Sequence, residues 1–279
     1  MACESARSQP PRAAKRQSNA PQRRPGSMPP PPLVEVCVEG IDGVVAALAG
    51  GAQRIELCAS LLEGGLTPSL GTVRAAVAHA GDVPVFVMVR PRGGDFLYSE
   101  LEYSSMLLDV TLIRTQTRAA GVVFGFLTAS GEVDESRTRA LVGAARPLLC
   151  TVHRAFDMAR DASEALEALV RCDVDRVLSS GQKNTFLEGQ RLLELLVSQA
   201  DGRIVVLGCG ALDEQSMAVA ARSTLTELHF AALKDVNSGM LWRNGAVGMG
   251  GTKLDREYLC TNVTDEAQVR RLINIAHGK

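Results

Sequence analysis

The stretch Leu33-Val34-Glu35-Val36-Cys37-Val38 and its sequel Arg54-Ile55-Glu56-Leu57-Cys58 alternate side-chain character with a period of two. Successive side chains of a β-strand point to opposite faces. In the first run Val34, Val36 and Val38 share one face, and Glu35 and Cys37 the other. In the second run Ile55 and Leu57 share one face, and Arg54, Glu56 and Cys58 the other. The wholly apolar faces belong under packed helices. The polar faces therefore turn toward whatever the strands enclose.

From Leu33 onward one unit recurs: a short β-rich run, a polar or glycine turn, then a helical stretch. The expected strands are Leu33–Val38, Arg54–Cys58, Val85–Arg90, Gly121–Gly125, Leu149–His153, Val174–Ser179, Arg203–Leu207 and Glu227–Ala231. Helices are expected at Ile41–Ala49, Leu70–Ala80, Leu101–Arg118, Ser136–Ala145, Ala162–Cys172, Leu187–Gln199, Asp213–Arg222 and Asp265–His277. The spacings admit a helical crossover between parallel strands. Eight units in roughly 250 residues is the arithmetic of a (β/α)8 TIM barrel. A doubly wound sheet would place a phosphate loop after its first strand. Glu39-Gly40-Ile41-Asp42-Gly43 is not that loop. The expected fold is thus α/β, a single-domain barrel over residues 33–279. Its least helical crossover is Asp109–Arg118, which is rich in β-branched residues.

Composition agrees. Hydrophobic residues make up 46 % of the chain but aromatics only 4 %, so the core is aliphatic and suits helices on a parallel sheet. The net charge of -1 hides an asymmetry: residues 1–32 carry six basic and one acidic side chain, leaving -6 for the rest. That Pro- and Arg-rich segment has little to bury and reads as a disordered tail. As a targeting signal it would be mitochondrial, against which its prolines argue, or nuclear. No apolar run is long enough for a membrane span, and the folded part has no basic stripe with aromatics for nucleic acid. Seven cysteines, an odd number without CxxC, point to free thiols in a reducing compartment.

Functional groups of such barrels collect at the C-terminal ends of the strands. Cys37 and Cys58, inward on adjacent strands about 4.8 Å apart, could share a metal ion. Thiolates select Cu(I) or Zn, and a lone pair of them suits low-coordinate Cu(I). The same cysteines could equally be small buried hydrophobes. Arg90 and Arg92, on the loop Arg90-Pro91-Arg92-Gly93-Gly94, read either as an anion clamp or as ion-pair partners of Glu35 and Glu56. His153, Arg154 and Asp157 sit where an acid or base would, with a structural His as the alternative. Ser180-Gly181 and Gly208-Cys209-Gly210 offer backbone N–H groups to an anion.

The blocks VEVCVEG (34–40), GGAQRIELCASLLEGGLTPS (50–69), PVFVMVRPRGGDFLYSE (84–100), TVHRAFDM (151–158), ALEALVRCDVDRVLSSG (165–181), GRIVVLGCG (202–210) and SGMLWRNGAVGMG (238–250) resemble the CutC family of copper homeostasis proteins. The resemblance runs over about residues 33–277. It implies a (β/α)8 barrel, a cytoplasmic and in animals also nuclear location, and a homo-oligomer. It also implies Cu(I) held by Cys37 and Cys58, with Glu35, Glu56, Arg90, Arg92, His153 and Asp157 gathered at the mouth. No catalytic residue is implied, because the family has no established reaction. The chain departs from the family pattern at Arg118–Gly121, Leu207, Cys209 and Ala231-Ala232. Two functions from different classes follow. One is a Cu(I)-binding protein. The other is an enzyme acting on a small phosphorylated or carboxylated metabolite held by the arginines and glycine turns.

Overall fold

The structure is a computed structural model and describes residues 30–248 and 258–279. The tail expected over residues 1–32 therefore lies outside the described residues up to residue 29. Eight strands close into one parallel barrel in chain order: β1 (Leu33–Glu39), β2 (Arg54–Cys58), β3 (Val85–Met88), β4 (Gly121–Phe124), β5 (Leu149–Val152), β6 (Arg176–Ser179), β7 (Val205–Gly208) and β8 (Glu227–Phe230). β8 returns to β1 with Glu35 opposite His229, and this pairing closes the cylinder. Seven helices make the crossovers: α1 (Gly40–Ala49), α2 (Leu70–Ala80), α3 (Glu100–Gln116), α4 (Glu135–Ala145), α5 (Ala162–Arg171), α6 (Phe186–Ala200) and α7 (Glu214–Ala220). α8 (Glu266–Ala276) follows β8 after an excursion. This is the (β/α)8 barrel that the sequence pattern predicts.

Helix starts are set by side-chain caps. Ser99 accepts from the Glu102 amide and the Glu102 carboxylate accepts from the Ser99 amide at the head of α3; Thr185 and Glu188 do the same for α6. The Asp109–Arg118 stretch is helical as far as Gln116. There Thr111 and Thr115 turn their hydroxyls back to the carbonyls of Leu107 and Thr111, so each polar branch is satisfied within the helix.

β6 and β7 begin later than their apolar character suggests. The Val174 amide bonds back to Leu169 O and the Arg203 amide to Ala200 O, so both residues still belong to the turns that follow α5 and α6. A further departure is an antiparallel hairpin, β9 (Leu233–Asn237) with β10 (Leu259–Thr264), inserted between β8 and α8. β9 is short, polar and largely exposed, which left no periodic signal to read.

The strands alternate as their sequence does. Val34, Val36, Val38, Ile55, Leu57, Val85 and Val87 pack in the large aliphatic layer between sheet and helices. Cys37, Cys58, Phe86, Met88 and Val123 form a separate cluster on the lumen side. Cys150 belongs to the outer layer, so it does not join the lumen. Among the described residues no helix is long and apolar enough to cross a membrane.

Candidate metal centre

The polar faces of β1, β2 and β8 meet inside the barrel. Cys37 and Cys58 are both buried, and their sulfurs lie 3.9 Å apart. The Cys58 thiol donates toward Glu56 Oε2 at 3.7 Å. Cys37, Glu56 and Cys58 each offer a ligand atom, all within 4.8 Å of one another. Glu35, Glu56 and His229 form a second such group. His229 Nδ1 is 2.7 Å from Glu35 Oε1, and its Nε2 is 3.8 Å from Glu56 Oε2.

Below this set Arg54 donates to Glu35 and to Glu227, both at 2.5 Å, and Arg176 donates to Glu227 at 3.2 Å. Both guanidiniums also face the Phe86 ring, that of Arg54 at 5.2 Å and that of Arg176 at 5.1 Å from its centroid. Glu35 is thus tied to Arg54 and His229, and Glu56 to Cys58 and His229. Neither makes an ion pair with Arg90 or Arg92 among the described residues, contrary to the ion-pair expectation.

These neighbours set the protonation states. Burial raises the Glu35 carboxyl, but the His229 hydrogen bond and the Arg54 charge outweigh it and bring it down to about 2. Burial pushes His229 down, but the Glu56 charge and the bond to Glu35 lift it well above its ordinary value. Burial raises Glu56, only partly offset by His229. The Cys37 thiol is pushed far up by its bond to Cys58 and then by burial. The Cys58 thiol is drawn down by Cys37, yet burial and the Glu56 charge carry it up to about 11. The imidazolium is therefore held between two carboxyl groups, and both thiols keep their protons at neutral pH.

The loop after β2 roofs the thiols. Ala59 and Leu66 pair across it, and Gly64 and Gly65 take φ of +82° and +90°. A Cβ on Gly65 would stand 3.0 Å from Cys58 Sγ, so glycine serves both the turn and the close approach. A cavity of about 260 Å³ opens above, lined by Cys37, Glu56, Met88, Arg90, His153 and His229 among others.

Other candidates are placed elsewhere. Arg92 is partly exposed and bound to Glu102, Asp95 and the Tyr98 ring, outside the cavity. Asp157 turns away into the loop after β6. It accepts from Ser179 Oγ at 2.6 Å, from Ser180 Oγ at 2.9 Å, and from the Ser180 and Gln182 amides. Arg154 lines the cavity but is held by Asp157 and Ser180. The Gly181 amide donates to Ser179 Oγ, so the Ser180-Gly181 turn has no amide to spare. A Cβ on Gly208 would meet Leu225 and Leu228 in the helix layer, and one on Gly210 would meet Phe186 and Ser180. Both glycines serve packing. His229 escaped the sequence reading, although Glu227-Leu228-His229-Phe230 alternates just as β1 does.

Fold and site together define a TIM-barrel protein with a dithiol–carboxylate centre buried in its lumen. Residues 32–234 match the sequence model of the CutC family, and the chain belongs to that family. A CutC family protein of Mesorhizobium japonicum is 61 % identical over 246 residues, 88 % of this chain and 94 % of the relative. The Homo sapiens copper homeostasis protein cutC homolog is 45 % identical over 245 residues, covering 88 % of this chain and 89 % of the relative. Among solved structures, that of a CutC protein from Streptococcus agalactiae superposes with a TM-score of 0.65 at 29 % identity, covering 71 % of this chain and 97 % of that one.

Proposed function

We propose that this chain serves copper homeostasis by binding one Cu(I) between Cys37 and Cys58. The observation that carries the reading is the 3.9 Å separation of two inward sulfurs on adjacent strands. At metal–sulfur distances of ~2.3 Å, two sulfurs so placed would both reach a single ion. Glu56 Oε2, beside Cys58, stands ready as a third, weaker donor. Two thiolates and one carboxylate in a buried site favour a soft, low-coordinate ion over four-coordinate structural zinc. The relatives named for copper homeostasis support the same choice. Cytoplasmic and nuclear location and homo-oligomeric assembly accompany the proposal as further expectations, open to fractionation and light scattering.

The test is a Cu(I) titration against a chromophoric chelator under reducing conditions, with the full chain. One Cu(I) per chain is expected in the wild type and none in the Cys37→Ser, Cys58→Ser double variant. Equal stoichiometry in the two proteins removes the proposal.

A further inference from the structure

Three residues lining the same cavity each keep a buried polar atom without a protein partner: Arg90 Nε, His153 Nε2 and Glu56 Oε1. All three side chains belong to residues more than nine-tenths buried. Buried polar atoms are ordinarily paired, and leaving them unpaired is costly. Three of them on side chains that line one cavity point to a ligand that completes them.

The chemistry of each atom narrows that ligand. Arg90 gives Nη1 to the carbonyls of Glu63 and Gly65 and Nη2 to that of Gly94, and it lies over the Phe96 ring. It forms no ion pair among the described residues: carbonyls, the Phe96 ring and the nearby Tyr98 hydroxyl surround its charge, and no carboxylate meets it. An anion is what it lacks. His153 Nδ1 accepts from the Ala155 amide, so the proton of the neutral ring sits on Nε2. Burial, and then the Arg90 charge, press this imidazole down to about 3, so it remains a neutral donor. The ring of Phe96, 5.0 Å from that of His153, packs against both groups. Glu56 Oε1 is left to accept a hydroxyl.

We propose that the cavity binds a small hydroxycarboxylic acid, its carboxylate on Arg90 Nε and His153 Nε2 and its hydroxyl on Glu56 Oε1. A volume of about 260 Å³ suits an acid of a few carbons; sites for drug-sized ligands run to roughly 300–1,000 Å³. Phosphate fits less well. Arg154, the second guanidinium on the wall, is already held by Asp157 and Ser180, His229 is held by Glu35, and the nearby Ser180-Gly181 amides that could share a second charge are closed by Asp157 and Ser179.

The test is calorimetric titration of the metal-free full chain with lactate, glycerate, malate, propionate and inorganic phosphate. Because no copper is present, its result is independent of the copper proposal. At least one hydroxy acid is expected to bind, with propionate and phosphate at least about tenfold weaker. Arg90→Met should weaken binding about tenfold or more. Since Arg90 also pins two loops, His153→Phe supplies a second variant with the same expected loss. A third readout needs no variant: the His153 Nε2 nitrogen resonance of the wild type should move on adding acid. Absence of binding across the panel, phosphate binding as tightly as the best acid, or titrations unchanged in His153→Phe would each overturn the assignment.

Discussion

Cys37 and Cys58 hold their sulfurs 3.9 Å apart although they are not register partners. Cys37 stands opposite Glu56, and Cys58 stands opposite Glu39. The contact is a diagonal one, across the lumen face of two parallel strands. It puts a carboxylate, that of Glu56, beside the thiol pair by construction, because the residue that pairs with Cys37 is also two positions before Cys58.

That arrangement makes metal uptake a proton exchange. Both thiols are raised, Cys58 to about 11, so at neutral pH each must lose its proton to become a ligand. Apparent Cu(I) affinity should climb with pH by up to ~100-fold per unit, tenfold for each thiol, while pH stays below both values. Competition titrations at several pH values, with proton release followed by an indicator dye, check this. A pH-independent affinity would contradict dithiolate ligation from two protonated thiols.

The Glu35 carboxyl gives a second pH effect, in stability. Its ordinary value is 4.5 and its folded value is about 2, because His229 and Arg54 outweigh burial. The unfolded chain therefore binds a proton that the folded chain resists. The stabilisation is complete above pH 4.5 and is lost as pH falls toward 2, with a size of about 3 kcal/mol. Urea unfolding between pH 6 and the acid limit should show a steeper loss for wild type than for Glu35→Gln. Parallel stability curves for the two proteins would remove Glu35 from the account.

Below the metal centre the lumen is filled by one large ring set against one missing side chain. Phe86 packs against the guanidiniums of Arg54 and Arg176, and a Cβ on Gly121 of β4 would stand 2.3 Å from its Cε1. Gly121→Ala should overpack this layer and cost about 1–3 kcal/mol. Phe86→Ala should cost about 3–5 kcal/mol, since it empties the layer and strips two guanidiniums of their ring. Denaturant unfolding measures both. If Gly121→Ala left stability unchanged, the ring would have room that the structure does not give it.

The barrel was legible because each strand announces its two faces locally. Val34, Val36 and Val38 against Glu35 and Cys37 is a one-dimensional pattern, and the barrel preserves it. What escaped depends on closure. His229 reaches Glu35 only because β8 pairs with β1, a contact across 194 residues that no local period encodes. Arg176 and Glu227 are hidden in the same way. The Arg90-Pro91-Arg92 pair looked like one clamp, yet the chain turns after β3. Arg90 then stays buried, while Arg92 finds Glu102 on α3. The hairpin of β9 and β10 was hidden because β9 is short, polar and largely exposed.

Asp157 separates a catalytic reading of the His153-Arg154-Ala155-Phe156-Asp157 segment from a structural one. Its side chain is nearly buried and receives two serine hydroxyls, two backbone amides and the Arg154 guanidinium. A carboxylate so engaged has no lone pair free to take a proton from a ligand, and its work is to hold the turn after β6. Asp157→Asn would set an NH2 group against donors that need an acceptor. A loss of about 2–4 kcal/mol is expected, with faster amide exchange over residues 179–182. Copper stoichiometry should stay at the wild-type value, because neither sulfur touches this loop. Full stability in Asp157→Asn together with loss of copper binding would show the opposite division of labour: the loop would stand without its carboxylate, and the carboxylate would belong to the metal centre.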